Sequence, residues 1–495
     1  MRRLRRRRPR PFLKYPGSLG IRDPFLRSIA DMAAGREVRP CNGGHLLTGR
    51  TRKMKAQLDI TSTPADRDRY VDLLRLVSIV VVVFGHWLMA VVIFRDGSFS
   101  GTNALDEIEG IWILTWLLQV MPLFFFVGGF SNLRSWTSTE RKGLGYPAFL
   151  STRVTRLIAP VLVFVAVWLP AAILLERTEG SEVVATTELL AKPLWFLAVY
   201  VLAVALAPVM ISLHHRYRVG VPAALVAGAI AVDIARIGFG IPYVGYLNFA
   251  FVWLFAHQLG FFYADGSLTK LRPTVQLTGG LAALGVLVAL VSSGVYSPSM
   301  VGMATDRISN NDPPSICLIA LTVWLVGLAM AFRPKGCKLL ERPGAWKAVV
   351  IGNSMIMTMF LWHLTALFAA SVILLPAGLP QPDAGTAVWW LLRPVWLVVL
   401  VTILAVLVAI FGRFERAALL RKAQPRARAS TPATILGLAA LIAALAGLAI
   451  HGFAGPSQPT INPTGSALAS CAYLVGGYFL IRPASAKGHA SITRR

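Results

Sequence analysis

Two ionisable side chains, Arg75 and His86, lie inside the first long apolar stretch of the chain, residues 71–94. They are eleven residues apart, and at about 100° per residue they fall on one face of a helix. A guanidinium is suited to binding anionic groups, and an imidazole is the side chain whose unperturbed pKa lies near neutrality. The spacing therefore predicts a functional helix face that carries a cation and a group able to transfer a proton.

Asp72 lies three residues before Arg75 on nearly the same face, and it is the expected ion-pair partner of that guanidinium. Ionisable side chains in a membrane span are costly and are kept mainly for function. The structural alternatives are an arginine that reaches the membrane surface and a histidine that holds two helices together. Because Arg75 and His86 share a stripe, we expect instead a polar passage that both side chains face.

The composition is that of a chain embedded in lipid. Hydrophobic residues make up 55% of the 495 residues, and the mean hydropathy is +0.62. The formal net charge is +26, but the basic residues lie in an N-terminal tail and in alternate loops, as the positive-inside rule predicts, which argues against a nucleic-acid-binding protein. Four cysteines without paired spacing indicate neither a disulfide framework nor a metal site.

Apolar stretches of about 20 residues are the candidate membrane spans. Twelve of them begin near residues 71, 111, 157, 194, 219, 243, 274, 315, 348, 387, 434 and 466. Basic loops follow the second, fourth, sixth, eighth and tenth spans, and the intervening loops carry acidic residues or almost no basic ones. This alternation predicts a multi-pass protein of the plasma membrane with both termini in the cytoplasm.

Composition also divides the chain into four parts. Residues 1–65 form a basic arm that is predicted to be disordered and cytoplasmic, and residues 66–412 hold the first ten spans. Residues 413–430 are a basic cytoplasmic linker, and residues 431–495 hold a final pair of apolar helices and a tail. The expected fold is an all-α polytopic transmembrane helix bundle with a ten-helix core plus two C-terminal helices.

Several segments of the ten-span part resemble the acyltransferase-3 family of integral membrane acyltransferases, in an actinobacterial-type form. The segments are DLLRLVSIVVVVFGHW in the first span, MPLFFFVGGF in the second, RVTRLIAP and KPLWFL at the start of the third and fourth, and FLWHL in the ninth. The combination of an Arg-x10-His motif with an RxxR motif is the specific part of the resemblance. One departure is that VGGF stands where the family pattern has SGF.

The resemblance implies roles for individual residues. Arg75 and His86 match the Arg-x10-His motif, and together with Asp72 they are the expected catalytic residues. Arg153 and Arg156 match the RxxR motif. The expected substrate-binding residues are Arg153, Arg156, Trp195 and His363. Two routes stay open for His86, which are general-base catalysis of a direct transfer and formation of a covalent acyl-histidine.

The resemblance also implies the reaction. An acyl group, expected to be acetyl, moves from cytosolic acyl-CoA to a hydroxyl of an extracytoplasmic glycan or glycolipid of the cell envelope. Acyl-CoA is then a co-substrate, and no bound cofactor or metal ion is expected. The oxyanion formed during transfer needs hydrogen-bond donors, for which Asn353, Ser354 and Trp195 are the candidates. The expected partners are acyl-CoA, the acceptor and the lipid bilayer.

Two other classes of protein remain open on the sequence. A twelve-span secondary transporter of a small polar or lipid-like substrate would also need buried arginine, histidine and aspartate. A non-catalytic envelope-assembly protein would explain the loop charges but would leave the stripe of Arg75 and His86 without a purpose. An acyltransferase predicts dependence on acyl-CoA, and a transporter predicts none.

Overall fold

In the computed structural model, the described residues are 67–179, 188–303, 306, 308–420, 430–453 and 466–481, and they fold almost entirely as helices. The predicted arm of residues 1–65 lies outside the described residues. The apolar helices of the described part are α1 (Arg69–Met89), α2 (Met121–Arg141), α3 (Tyr146–Glu179), α4 (Leu194–Tyr217), α5 (Gly220–Asp233), α6 (Asn248–Ala264), α7 (Pro273–Ser292), α8 (Ile316–Leu339), α9 (Ile356–Leu374), α10 (Ala387–Leu420), α11 (Thr431–His451) and α12 (Ala467–Ile481).

Eleven spans of the described part are long and apolar enough to cross a membrane, and α5 and α6 reach that length together with adjoining helical turns, as Gly220–Gly238 and Val244–Ala264. Helix α12, with 15 residues, is shorter than these spans. The prediction of an all-α polytopic bundle is confirmed, and the chain is a multi-pass membrane protein. Two predicted span starts were wrong. Helix α3 begins at Tyr146. The prediction placed its start near residue 157 because the first turns carry polar residues, which a search for apolar stretches leaves out. The ninth span begins at Ile356, since a separate short helix, Pro343–Asn353, precedes it.

The first span ends earlier than its apolar stretch predicts. Helix α1 stops at Met89, and a two-stranded antiparallel hairpin follows. The strands are β1 (Ala90–Arg95) and β2 (Ser98–Asn103). Asp96 and Gly97 both adopt positive φ, 52° and 78°, as a type I′ hairpin turn requires. The backbone N–H of Phe94 donates to Oε1 of Gln381 at 2.6 Å, which docks the hairpin on the loop before α10. We call this side of the bundle the hairpin end.

The opposite side of the bundle gathers the start of α1 and the ends of α2, α6 and α8, and we call it the arginine end. Asp68 caps α1 by accepting hydrogen bonds from two backbone N–H groups of its first turn. Its other carboxylate oxygen accepts from the hydroxyl of Tyr263 at the end of α6, at 2.7 Å. Arg69 donates to the carbonyl oxygen of Leu340 beyond α8. The helix ends that precede basic loops, those of α2, α6 and α8, therefore lie on one side of the bundle.

Helices α2 and α6 pack at backbone distance. A Cβ atom on Gly129 would lie 1.9 Å from the carbonyl oxygen of His257, and one on Gly260 would lie 2.1 Å from that of Phe126. Only glycine permits such a close approach, which is a common device in membrane helix pairs. The contact brings the polar side chains of α2 within reach of α6.

The two C-terminal helices contact the core. Helix α11 packs along α4, and α12 packs along α3. Phe453, just after α11, is fully buried and its ring centroid lies 6.0 Å from that of Phe164 in α3. Helix α10 continues to Leu420. The first part of the predicted linker, residues 413–420, is therefore helical, and residues 421–429 lie outside the described residues.

Candidate active site

His86 and His363 lie side by side across the contact between α1 and α9. The Nε2 atom of His363 is 3.3 Å from the Nδ1 atom of His86, and the ring centroids are 5.0 Å apart. The indole N–H of Trp87 donates to the backbone carbonyl of His363 at 2.9 Å and fixes the two helices at this level. Two predicted site residues that are 277 positions apart in the chain thus form one group, the histidine pair.

Hydrogen bonds to helix carbonyls decide which ring nitrogens carry protons. The Nδ1 atom of His86 is 2.8 Å from the carbonyl oxygen of Val82, and that of His363 is 2.6 Å from the carbonyl oxygen of Phe360. Since a carbonyl oxygen only accepts, each Nδ1 of a neutral ring donates its proton there, and each Nε2 keeps a lone pair. Within the described part of the chain, Nε2 of His86 has no hydrogen-bond partner. It is the nitrogen that can accept a proton.

The two rings differ in access. His363 has no exposed surface, whereas His86 is partly exposed. A group that approaches the pair therefore meets His86 first. His363 lies behind it, where it can orient the His86 ring but is not itself reached.

Arg75 is held near the arginine end of α1 by two neighbours. Its guanidinium donates to Oδ1 of Asp72 at 2.9 Å and to the hydroxyl of Ser131 at 2.8 Å. Asp72 is 5% exposed and also accepts from Nε of Arg67 at 2.5 Å. The expected ion pair is present. Asp72 lies fourteen residues before His86, or about 21 Å along the helix, so it orients Arg75 and does not touch the imidazole.

A cavity of about 280 Å³ opens beside Arg75, and we call it the arginine cavity. Its walls come from the start of α1 and the second half of α2, and they carry four arginines and two aspartates. The lining residues are Arg67, Asp68, Val71, Asp72, Arg75, Phe130, Ser131, Arg134, Ser138 and Arg141. The excess of guanidinium groups suits an anionic ligand such as a phosphate.

Arg75 and His86 do not share one open cavity in this structure. Neither histidine of the pair is among the described residues that line the arginine cavity. Ile79 and Val82 lie on the α1 stripe between the two side chains, and both are buried. Apolar side chains thus lie between the two groups along this stretch of about 16 Å, and the arginine cavity by itself is not the polar passage expected from the sequence.

Arg153 points into the bundle. Its Nε and one terminal nitrogen both donate to Oδ1 of Asn132, at 3.0 and 2.7 Å, and its guanidinium also lies near the side chain of Tyr200. The Nδ2 atom of Asn132 donates to Nε2 of His257 in α6 at 3.0 Å. Arg156 is exposed and has no ion-pair partner in the described part of the chain. The two arginines of the RxxR motif therefore have different surroundings, and only Arg153 joins the interior network.

Adjacent polar residues of α2 hold both interior arginines. Ser131 contacts Arg75, and Asn132 contacts Arg153. Sequence reasoning missed both residues, although a Ser-Asn pair inside an apolar stretch is a usable signal, since buried polar groups are kept only where they are hydrogen-bonded. The close contact between α2 and α6 completes this arrangement by bringing His257 to Asn132.

Trp195 and Asn353, two of the candidate oxyanion donors, lie in different parts of the bundle. Trp195, at the start of α4, packs in an aromatic cluster with Trp253, 6.0 Å between ring centroids. Asn353 donates to the backbone carbonyl of Asp72 at 2.9 Å, which places it at the arginine end. The oxyanion role expected for Asn353 and its neighbour Ser354 was therefore wrong, because both lie far from the imidazole.

Glu415 is a buried carboxylate in the segment that was predicted to be a linker. It is 4% exposed and accepts hydrogen bonds from the backbone N–H groups of Met357 and Thr358 at 3.1 and 2.8 Å, and from the hydroxyl of Thr358 at 2.6 Å. These are the first N–H groups of α9, so Glu415 of α10 caps the helix that carries His363.

Comparison with known protein families identifies the family of this chain. The family model Acyl_transf_3, described as an acyltransferase domain, matches residues 68–413. The chain belongs to the acyltransferase-3 family. It is a membrane acyltransferase that transfers groups other than aminoacyl groups, and the transporter alternative is set aside. None of the curated proteins and none of the solved structures compared with the chain matches it.

The departure of this acyltransferase from the family's SGF pattern has a steric explanation. Gly128 occupies the position of the serine, and a Cβ atom there would lie 2.7 Å from the ring of Tyr200. The glycine leaves room for that tyrosine, which in turn contacts Arg153. A serine at this position would require the Tyr200 ring to move.

Proposed function

We propose that this acyltransferase moves an acyl group, acetyl in the simplest case, from acyl-CoA bound at the arginine end to a hydroxyl of a glycan or glycolipid at the hairpin end. The observation that carries the proposal is the histidine pair, in which Nε2 of His86 is free to accept a proton. This nitrogen lies about 16 Å along α1 from Arg75, a distance comparable with an extended pantetheine arm.

The arginine cavity supports binding of the donor. The nucleotide part of acyl-CoA carries phosphate groups, which are matched by the planar forks of guanidinium groups. Arg75 is already oriented by Asp72 and Ser131, while Arg134 and Arg141 line the same cavity and have no acidic partner among the described residues. The pantetheine arm has to enter the packed stretch at Ile79 and Val82, so transfer requires this stretch to open when the donor binds.

The histidine pair supports the chemistry. Nε2 of His86 takes the proton of the acceptor hydroxyl as the hydroxyl oxygen attacks the thioester carbon, so that a C–O bond forms and the C–S bond then breaks. The proton passes from Nε2 to the departing CoA sulfur. While the His86 ring carries the extra proton, its Nδ1–H faces the carbonyl of Val82 and the lone pair of His363, and both stabilise the positive charge. The same nitrogen serves an acyl-histidine route.

The charge pattern supports an orientation. Basic loops lie at the arginine end, and the positive-inside rule then puts this end in the cytoplasm of a cell whose plasma membrane holds the bundle. Both termini belong to the same side in this topology. Cytosolic acyl-CoA therefore meets the arginine cavity, and the acceptor outside the membrane meets the hairpin end.

The test uses inverted membrane vesicles that carry the full chain, or its His86→Gln variant, and radiolabelled acetyl-CoA. His215→Gln is the matched control, since His215 is an exposed histidine of α4. Wild type and control should transfer label at equal rates, and His86→Gln should lose about a hundredfold or more at equal protein level. Full activity of His86→Gln, or no use of acyl-CoA by wild type, would overturn the proposal.

A further inference from the structure

A second cavity, of about 110 Å³, lies at the hairpin end between β1, α9 and α10, and we call it the hairpin cavity. Ala90 and Leu367 form part of its wall. These residues follow His86 and His363 by four positions each, so the cavity begins about one helical turn, or 6 Å, beyond the histidine pair. A molecule bound there lies about one helical turn from the imidazole that accepts the proton.

The walls of the hairpin cavity are mostly apolar, but they include two donor groups for which the described residues supply no acceptor. Arg393 lies inside the apolar helix α10, where its guanidinium carbon is 3.7 Å from the ring centroid of Trp389, and no acidic side chain among the described residues pairs with it. Trp389 is 3% exposed, and its indole N–H has no hydrogen-bond partner in the described part of the chain. Two side-chain acceptors of the nearby loop are already used by the hairpin, since Oε1 of Gln381 accepts from Phe94 and the carboxylate of Asp383 pairs with Arg95.

Such donors are expensive to leave unmatched. A buried N–H without a partner destabilises the fold, and an unpaired arginine within a membrane span does so at least as strongly. Arg393 and Trp389 therefore point to a ligand that brings negative charge and acceptor oxygens. The apolar walls require that the same ligand also brings hydrocarbon.

We infer that the hairpin cavity is the acceptor site and that the acceptor is a membrane lipid with an anionic headgroup. The inference rests on the proposed function and narrows its acceptor from a glycan or glycolipid of any kind to a lipid that carries an anionic headgroup. Oxygens of the headgroup accept from Arg393 and from the indole N–H of Trp389, the hydrocarbon part packs on the apolar walls, and a headgroup hydroxyl extends one helical turn to Nε2 of His86.

The binding test measures thermal unfolding of the purified full-length protein in a non-ionic detergent, titrated with short-chain phosphatidylglycerol, short-chain phosphatidylcholine or inorganic phosphate. Phosphatidylglycerol should raise the unfolding temperature of wild type at concentrations about tenfold lower than phosphatidylcholine does, and inorganic phosphate should have no effect. The preference should disappear in Arg393→Ala. It should stay in Arg413→Ala, a matched control in which an exposed arginine of the same helix stacks on Phe414.

A second variant, Val92→Trp, fills the cavity from β1 without changing any charge, and it should weaken the response to phosphatidylglycerol about tenfold. Equal responses to the two lipids, an equal loss in Arg413→Ala, or a full response to inorganic phosphate would overturn the inference. The last result would identify a site for free anions, and the equal loss would indicate general attraction to the membrane surface.

The transfer test follows radiolabelled acetyl from acetyl-CoA in membranes of a strain that expresses the protein. The label should appear in the solvent-extracted lipids that bind an anion-exchange column, should vanish in His86→Gln and should fall about tenfold in Arg393→Ala. Label in a water-soluble glycan or in neutral lipid would overturn the inference and leave the proposed function standing. Absence of any labelled product would overturn the proposed function, and the binding test would then decide the lipid site alone.

Discussion

Replacing Glu415 by alanine should make the protein markedly easier to unfold, because Glu415 caps the helix that carries His363. The carboxylate is 4% exposed and accepts three hydrogen bonds, two of them from the backbone of Met357 and Thr358. Alanine leaves these groups buried without partners, at about 1 to 3 kcal/mol each. The alanine variant no longer has to bury a carboxylate, and this gain offsets part of that cost. We expect a net loss of about 2 to 4 kcal/mol in the free energy of unfolding.

The assay is denaturant-induced unfolding of the purified protein in mixed micelles, with wild type and variants compared at equal lipid content. Arg416→Ala is the matched control, since it alters the next residue, whose side chain is exposed. Glu415→Gln keeps one acceptor oxygen and should lose about half as much as Glu415→Ala. Transfer activity per folded molecule should also fall in Glu415→Ala, because His363 lies only about two turns beyond the cap.

Two results would refute this reasoning. One is a free energy of unfolding for Glu415→Ala within about 0.5 kcal/mol of wild type, which would mean that the cap carries no net stability. The other is an equal loss in Arg416→Ala, which would mean that this segment of α10 is sensitive to any change.

Three further predictions concern other contacts. Gly129→Ala should lower the free energy of unfolding by at least about 3 kcal/mol, because its Cβ would lie 1.9 Å from a backbone oxygen of α6. Gly279→Ala is the control and should be neutral, since its Cβ would meet nothing within 4 Å. Equal unfolding temperatures for the two variants would contradict the prediction. Arg75→Lys should raise the KM for acyl-CoA about tenfold with little change in kcat, because an ammonium lacks the planar fork, and steady-state kinetics with an unchanged KM would count against phosphate binding there. A chain that ends after residue 420 should keep its activity in membranes, because lipid covers the surfaces that α11 and α12 leave. A chain that ends after residue 412 also loses Glu415 and should be about as unstable as Glu415→Ala. Equal stability and activity of the two truncated chains would show that loss of the Glu415 cap does not cause the instability.

Hydropathy and charge were sufficient to predict the membrane spans. A stretch of about 20 apolar residues has few alternatives to a membrane helix, since every backbone polar group in lipid needs an internal partner. The errors occurred where local signals compete. The stretch at residues 90–95 is apolar enough to continue α1, but β-branched residues and the turn at Asp96 and Gly97 make it a strand. Glu415 lies in a basic segment that was predicted to be a linker, yet it is buried against α9.

The candidate site was predictable only in part. The spacing of Arg75 and His86 depends on helix periodicity alone, and Asp72 pairs with Arg75 for the same reason. The partnership of His86 with His363 could not be read from spacing, because nothing local relates α1 to α9. The aromatic surroundings of Trp195 were equally hidden, since they depend on how α4 packs on α6.

The amino-acid sequence by itself determined the helices, the stripe of ionisable residues on α1 and, through its motifs, membership of the acyltransferase-3 family, because periodicity and residue order are local properties of the chain. Only the tertiary structure decided which of these residues meet. It placed His363 behind His86, tied Arg153 to Asn132, closed the stretch between Arg75 and His86, and opened a cavity with unmatched donors beside the pair. Contacts between helices depend on side-chain packing across distant segments, and no single stretch of sequence contains that information.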